Sequence, residues 1–350
     1  FLYAAALQGK HYDPTLTRAQ VLRKGLELIR DAAGPSTFIL GCGLPLGPGI
    51  GLVDGMRIGA DVNGEWTFSF NGIKLIFDKE PNTPSAKNAM QNTITRSGMH
   101  RRWWLNDPDC LIVREKMKLT LDEVHTLATT IGLSAGMLLL SDNMVNLTAD
   151  RLGIAQSLIP VLNNPPQVID LFDNHTPHLL RQDLEGTAGK WHLLGWFNWD
   201  DKPTSITFRP EEFHLPKGSY YVRSYWDQKT YITGSDYPAL ELQIPRHGCL
   251  LLAVRLAKHD QAQYLGSNLH FSQGLEVEDW KDTGKEVSFT IQLPRKAGGM
   301  VEFSLTGNPR RIEVNGNKVV WKEVAEGLYQ IPVEVDHRAD IRIFLEGILA

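Results

Sequence analysis

Four short apolar runs, each closed by a polar loop and followed by a helical pattern, most narrow what residues 1–160 can become. Residues 37–40 close in Gly41-Cys42-Gly43, and residues 55–59 lead to Asp61. Residues 102–105 close in Asn106-Asp107-Pro108-Asp109, and residues 137–140 in Ser141-Asp142-Asn143. Thr17-Arg18-Ala19-Gln20 and Thr120-Leu121-Asp122-Glu123 are capping boxes and mark helix starts. The first helix presents Val21, Leu22, Leu26, Ile29 and Ala33 on a broad face and stops at Gly34-Pro35. A second helix is expected to open at Thr83-Pro84, with Pro at the tolerated first position, and to run to about Met99. The third ends near Gly132, and the last runs from about Thr148 and stops before Pro160.

This alternation predicts a parallel sheet. Cys42, Asp61, Asp109 and Asp142 all follow strand C-termini, the functional face of a (β/α)8 barrel. An open doubly wound sheet would place ligands there too. The absence of GxGxxG and GxxxxGK[ST] weakens its nucleotide-binding versions. Four units make half of an eight-stranded barrel. Phe1-Leu2-Tyr3-Ala4-Ala5-Ala6-Leu7 reads as the exit from a strand already under way, so the expectation is the C-terminal portion of a longer protein.

Past Asn163-Asn164-Pro165-Pro166 the texture changes. Short β-rich runs at 191–199, 204–208, 220–226 and 248–254, split by Pro, Gly and Asp turns, predict an antiparallel sandwich. After about Leu256 the runs 287–291, 301–305, 311–316 and 340–345 repeat that texture, with Asn315-Gly316 as a hairpin signal. The expected fold class is therefore α/β plus all-β: the C-terminal half of a TIM (β/α)8 barrel over 1–163, an antiparallel β-sandwich over 164–257, and a second small β module over 258–350.

Composition narrows the partners. With 42% hydrophobic and 22% charged residues the chain can bury an ordinary core. A net charge of −4 without a Lys/Arg cluster offers no face for nucleic acid. No apolar run approaches the ~20 residues of a membrane helix, so no membrane partner is expected. Cys42, Cys110 and Cys249 lie far apart without CxxC spacing, which argues against a zinc site or a disulfide framework and fits a reducing, cytoplasmic setting. Neither a cofactor nor a metal is expected, and self-association into a homo-oligomer stays open.

Among candidate residues Asp61 stands first, with a helix-capping Asp as the alternative. Arg57, four residues earlier, either holds a carboxylate or substrate hydroxyl or forms a buried pair with Asp54. Pro108 fixes a turn that sends Asp107 and Asp109 in different directions, one to backbone or an Arg and the other to the pocket. Cys42 between two glycines is read as a small polar pocket contact, since no particular His stands out as its base. Asp142 reads as a helix cap. Trp191, Trp196, Trp199 and Trp226 either stack on sugars or fill the sandwich core, with the core favoured.

The strings Phe38-Ile39-Leu40-Gly41-Cys42-Gly43-Leu44-Pro45-Leu46-Gly47 and Val53-Asp54-Gly55-Met56-Arg57-Ile58-Gly59-Ala60-Asp61-Val62 resemble the melibiase-type α-galactosidases of glycoside hydrolase family 36. So do Trp104-Leu105-Asn106-Asp107-Pro108-Asp109-Cys110 and Leu140-Ser141-Asp142-Asn143, and a weaker likeness reaches family 27 of the same clan. The resemblance spans roughly residues 1–160. It implies a retaining enzyme that hydrolyses terminal α-galactosides on a TIM barrel, one Asp attacking the anomeric carbon and another serving as acid/base. By that likeness Asp61 matches the acid/base and Arg57 an active-site arginine. Asp109 and Cys110 match the pocket-facing end of the Asn-Asp-Pro-Asp loop, and Cys42 a residue near the sugar 2-hydroxyl. The nucleophile's motif has no match in these 350 residues, nor do the strands that recognise the galactose 4-hydroxyl. By this reading Arg57 serves the substrate or a second carboxylate rather than Asp61, and the chain alone is inactive. A galactosyl transferase of the raffinose-synthase kind, and a non-catalytic carbohydrate-binding or structural fragment, are the alternatives.

Overall fold

The computed structural model describes residues 8–70, 73–74, 80–234 and 236–346, so the reading of residues 1–7 lies outside the described residues. The Thr17 box forms, opening the helix Arg18–Ala33, which ends where the Gly34 N–H donates to the Arg30 carbonyl. Strands Leu40–Gly41, Gly55–Arg57 and Leu105–Asp107 lie side by side, each parallel to its neighbour. Past Pro108 the chain resumes as Cys110–Leu111, which pairs in parallel with Leu139–Leu140. Parallel neighbours therefore follow chain order. Close approach is needed at Gly136, where a Cβ would stand 2.7 Å from the Asn106 carbonyl oxygen. That carbonyl takes the Met137 N–H at 2.8 Å and draws the last strand alongside.

Two local expectations are corrected. The second helix is Ala86–Thr95, and its N-cap is Ser85, whose hydroxyl accepts from the Asn88 N–H; Pro84 lies outside it. The third strand begins at Leu105 rather than residue 102, because the Arg102 and Trp103 N–H groups are spent on the Met99 carbonyl in a turn. The Thr120 box opens the helix Leu121–Ser134 as expected.

That helix joins the regions. Its Val124, Leu127, Ile131 and Leu133 share one core with Leu193, Phe197, Leu251 and Phe271. Leu193, Phe197 and Leu251 come from a six-stranded antiparallel sheet whose central strands are Gly189–Phe197 and Cys249–Leu256, and Phe271 from a turn after it. Side chains alternate across a strand, so Leu194, Leu250, Leu252 and Val254 face the other way. They pack under Phe208, Phe213 and the two-stranded sheet of Thr204–Thr207 and Glu241–Ile244. Polar and aromatic contacts seal the helix side. The Trp66 ring stacks on His247 at 4.2 Å, and His247 Nδ1 lies 2.6 Å from Glu123 Oε1. Trp226 stacks on His125 at 4.0 Å and donates its indole N–H to Thr129. Trp199 is buried in the first of these cores, Trp226 and Trp196 are half-buried against the first and second, and Trp191 is buried beneath the Arg255 guanidinium, so all four are packed inside the protein.

A seven-stranded sheet follows. Residues 287–291 and 301–305, expected as two strands, belong mostly to a single one, Glu286–Ser304, paired antiparallel with Leu328–Leu345. The chain runs through Pro294, which has no N–H to donate, because the register shifts between Gln292 and Lys296 and leaves that segment outside the ladder. Asn315 and Gly316 adopt φ of 51° and 77°, both positive as a two-residue primed turn requires. Among the described residues no helix is long and apolar enough to cross a membrane.

Candidate active site

Arg57 ends its strand with its Cα in register with Asp107 on the neighbouring parallel strand. Its Nε donates to Asp107 Oδ2 at 3.1 Å, and its Nη1 lies 3.1 Å from Asp61 Oδ1 and 2.8 Å from Asp109 Oδ2. One guanidinium thus gathers three carboxylates. Burial weighs against its charge, but Asp107 and then Asp109 outweigh that and raise the Arg57 pKa above its ordinary value.

Asp109 has φ of 76°, in the left-handed region that a non-glycine residue adopts only when its surroundings enforce it. Here they do. Its N–H donates to Asp107 Oδ1 at 2.8 Å, and its carboxylate accepts the Val62 and Cys110 N–H groups, each at 2.7 Å. The Val62 bond hooks the loop after Asp61 to the neighbouring strand and so carries Asp61 back beside Arg57. The expected division of labour between Asp107 and Asp109 is corrected: both hold Arg57, and Asp109 also faces the cleft. Burial and the Asp109 carboxylate push the Cys110 thiol up.

A cleft of about 320 Å³ opens over these groups, lined by Arg57, Asp61, Asn63, Asp109, Cys110 and Arg114. The side chains of Asp109 and Arg57 are 7% and 14% exposed and form its floor, whereas Asp61 is 75% exposed at the rim. A larger cleft, about 610 Å³, lies between the two β regions beside Tyr221 and Tyr329, and none of the strand-end carboxylates lines it.

The remaining candidates are placed differently from the expectation. Asp54 does not pair with Arg57. The two are three apart on an extended segment and point to opposite faces; Asp54 instead binds Arg30 at 2.5 Å and accepts the Ile39 N–H. Arg57 was expected to serve the substrate or a second carboxylate, yet it reaches Asp61 as well, for the loop reason above. Cys42 is exposed and does not line the cleft. Asp142 is not a helix cap: Thr148 occupies that position. Its buried carboxylate accepts the Val113 and Arg114 N–H groups and the Arg114 side chain. Arg114 and Asn63 are polar lining residues that sequence reading passed over. Cys110, Ile112 and Arg114 all line the cleft, and that period of two was a usable signal.

The arrangement sets an exposed carboxylate, open to proton exchange, beside a deep arginine–carboxylate pair that can donate to and accept from hydroxyls. Among the described residues no group of three or more His, Cys, Asp or Glu is placed to hold a metal ion.

No family model matches the chain. Solved structures do share its fold. α-Galactosidase I from Mortierella vinacea superposes with a TM-score of 0.52 at 18% identity, over 69% of this chain and 62% of that one. The α-galactosidase from Saccharomyces cerevisiae, solved with raffinose, gives 0.50 at 15% identity, over 69% and 68%. The chain thus spans less than two thirds of the Mortierella enzyme's length, and at these identities the likeness is one of fold alone.

Proposed function

We propose that this chain carries the acid/base side of a retaining α-galactosidase of glycoside hydrolase family 36. In this reading residues 1–163 form the second half of a (β/α)8 barrel. Asp61 protonates the glycosidic oxygen as the aglycone departs and the galactosyl group passes to an attacking carboxylate, then takes a proton from the water that releases the sugar from that attacking carboxylate. That carboxylate, held about 5–5.5 Å from its partner in retaining enzymes, comes from polypeptide outside these 350 residues. Arg57 and Asp109 bind hydroxyls of the ring on the cleft floor. The observation that carries the reading is the convergence of Asp61, Arg57, Asp109 and Cys110 on one cleft. The parallel strands in chain order and the fold shared with two α-galactosidases support it.

The test is Asp61→Ala in the protein carrying the complete site. Turnover of a disaccharide, whose leaving sugar needs a proton, should fall roughly 10²–10⁴-fold, the usual worth of general acid catalysis. An aryl α-galactoside should lose much less in the first step, and azide, which needs no general base, should restore its turnover. Equal losses on both substrates without rescue would make Asp61 structural. Hydrolysis by the purified 350-residue chain itself would overturn the claim that the attacking group lies outside it.

A further inference from the structure

We propose that Arg114 recognises the leaving sugar, binding hydroxyls of the saccharide joined through the oxygen that Asp61 protonates; this rests on the α-galactosidase reading. Depth within the cleft is the first argument. Arg57 and Asp109 are on the floor, with side chains 14% and 7% exposed, so the ring being cleaved sits against them. Whatever remains bonded to the glycosidic oxygen must extend outward past Asp61. There Arg114, 42% exposed, forms the same rim.

The second argument is how Arg114 is held. The Asp142 carboxylate is fully buried and accepts the Val113 and Arg114 N–H groups at 2.6 and 3.1 Å, which fixes it in place. It then takes Arg114 Nη1 at 2.7 Å. Among the described residues this is the guanidinium's only partner, so Nε and Nη2 keep their donors for a ligand. An arginine clamped at one nitrogen presents a planar fork in a set direction, and the fork matches two adjacent hydroxyls. The carboxylates of Asp61 and Asp109 balance the guanidinium groups of Arg57 and Arg114 in the cleft lining, which therefore carries no excess positive charge to select an anion and suits a neutral saccharide.

The experiment compares Arg114→Ala and Arg114→Lys with wild type in the protein carrying the complete site, using melibiose and p-nitrophenyl α-galactoside. Arg114→Lys leaves Asp142 a cation but removes the fork, so it decides the matter if Arg114→Ala fails to fold. The expected result is a roughly tenfold or greater rise in KM for melibiose, in line with losing charged hydrogen bonds. kcat should change little, and the aryl substrate should be nearly unaffected. Parallel losses on both substrates, or no loss on either, would overturn the assignment of Arg114. A wild type inactive on both would instead overturn the α-galactosidase reading itself.

Discussion

The strands under the cleft are two or three residues long, while the two that build the last sheet run 19 and 18 residues. In the last sheet, backbone pairing and alternation fix the structure: Val287, Phe289 and Ile291 bury one face with Ile341 and Ile343 across the ladder. Around the cleft there is little ladder to rely on. Geometry there comes from side chains, as Arg57 ties three carboxylates and Asp109 and Asp142 catch backbone N–H groups of neighbouring segments. The apolar cluster beneath is small, with Val53, Met56, Ile58 and Trp104 buried while Phe38, Leu40 and Leu105 stay exposed. Where ladders end, backbone polar groups must be satisfied by side chains. Those same side chains form the chemistry of the cleft.

The contrast can be broken by core truncation. Phe303→Ala, at a fully buried site in the last sheet, should cost about 3–5 kcal/mol in urea unfolding. Met56→Ala, equally buried but in the thin cluster, should lie near the low end for such changes, about 2 kcal/mol. A larger loss at Met56 would mean that the cleft region is the better packed of the two.

Acid should act where the regions meet. Burial, then Arg151, lowers His125 from 6.5 to about 4, against the pull of Asp227. Between those values the unfolded chain binds a proton that the folded chain refuses. Stability is therefore complete above pH 6.5 and falls as pH drops toward 4, by about 3 kcal/mol. His125→Phe keeps the stack on Trp226 and should flatten that slope in urea midpoints taken at pH 7 and 4.5. An unchanged slope would place the acid sensitivity elsewhere. The smallest effect belongs to Thr120→Ala, which removes one helix cap and should cost about 1 kcal/mol by thermal melting. A loss several times larger would show that the capped end of this helix, where Glu123 meets His247, holds the junction together.

What the sequence disclosed follows from range. Thr17 and Thr120 announced their helices, and Asn315-Gly316 its turn, because those bonds close within a few residues. Asp61 and Asp109 were legible as strand-end groups, Arg57 by its place four residues before Asp61 and Cys110 through the family resemblance, and the structure brings all four to one cleft. Partnerships were not legible. Asp54 was offered to Arg57 on spacing alone, whereas its partner Arg30 arrives from a helix that only the tertiary fold brings near. The Glu286–Ser304 strand was split because Pro294 reads as a breaker unless a register shift absorbs it, and that shift depends on a partner strand some forty residues away.

The Trp66 stack has a consequence for anyone wishing to move the cleft to another protein. Trp66 belongs to the segment that follows Asp61, and it lies against His247 and Trp199, which flank the two central strands of the six-stranded sheet. Cutting the chain after the last parallel unit would keep every cleft-lining group and remove the surface on which that segment rests. The transplantable unit is therefore set by aromatic stacking rather than by where the parallel strands stop, and residues 164–257 have to travel with the site.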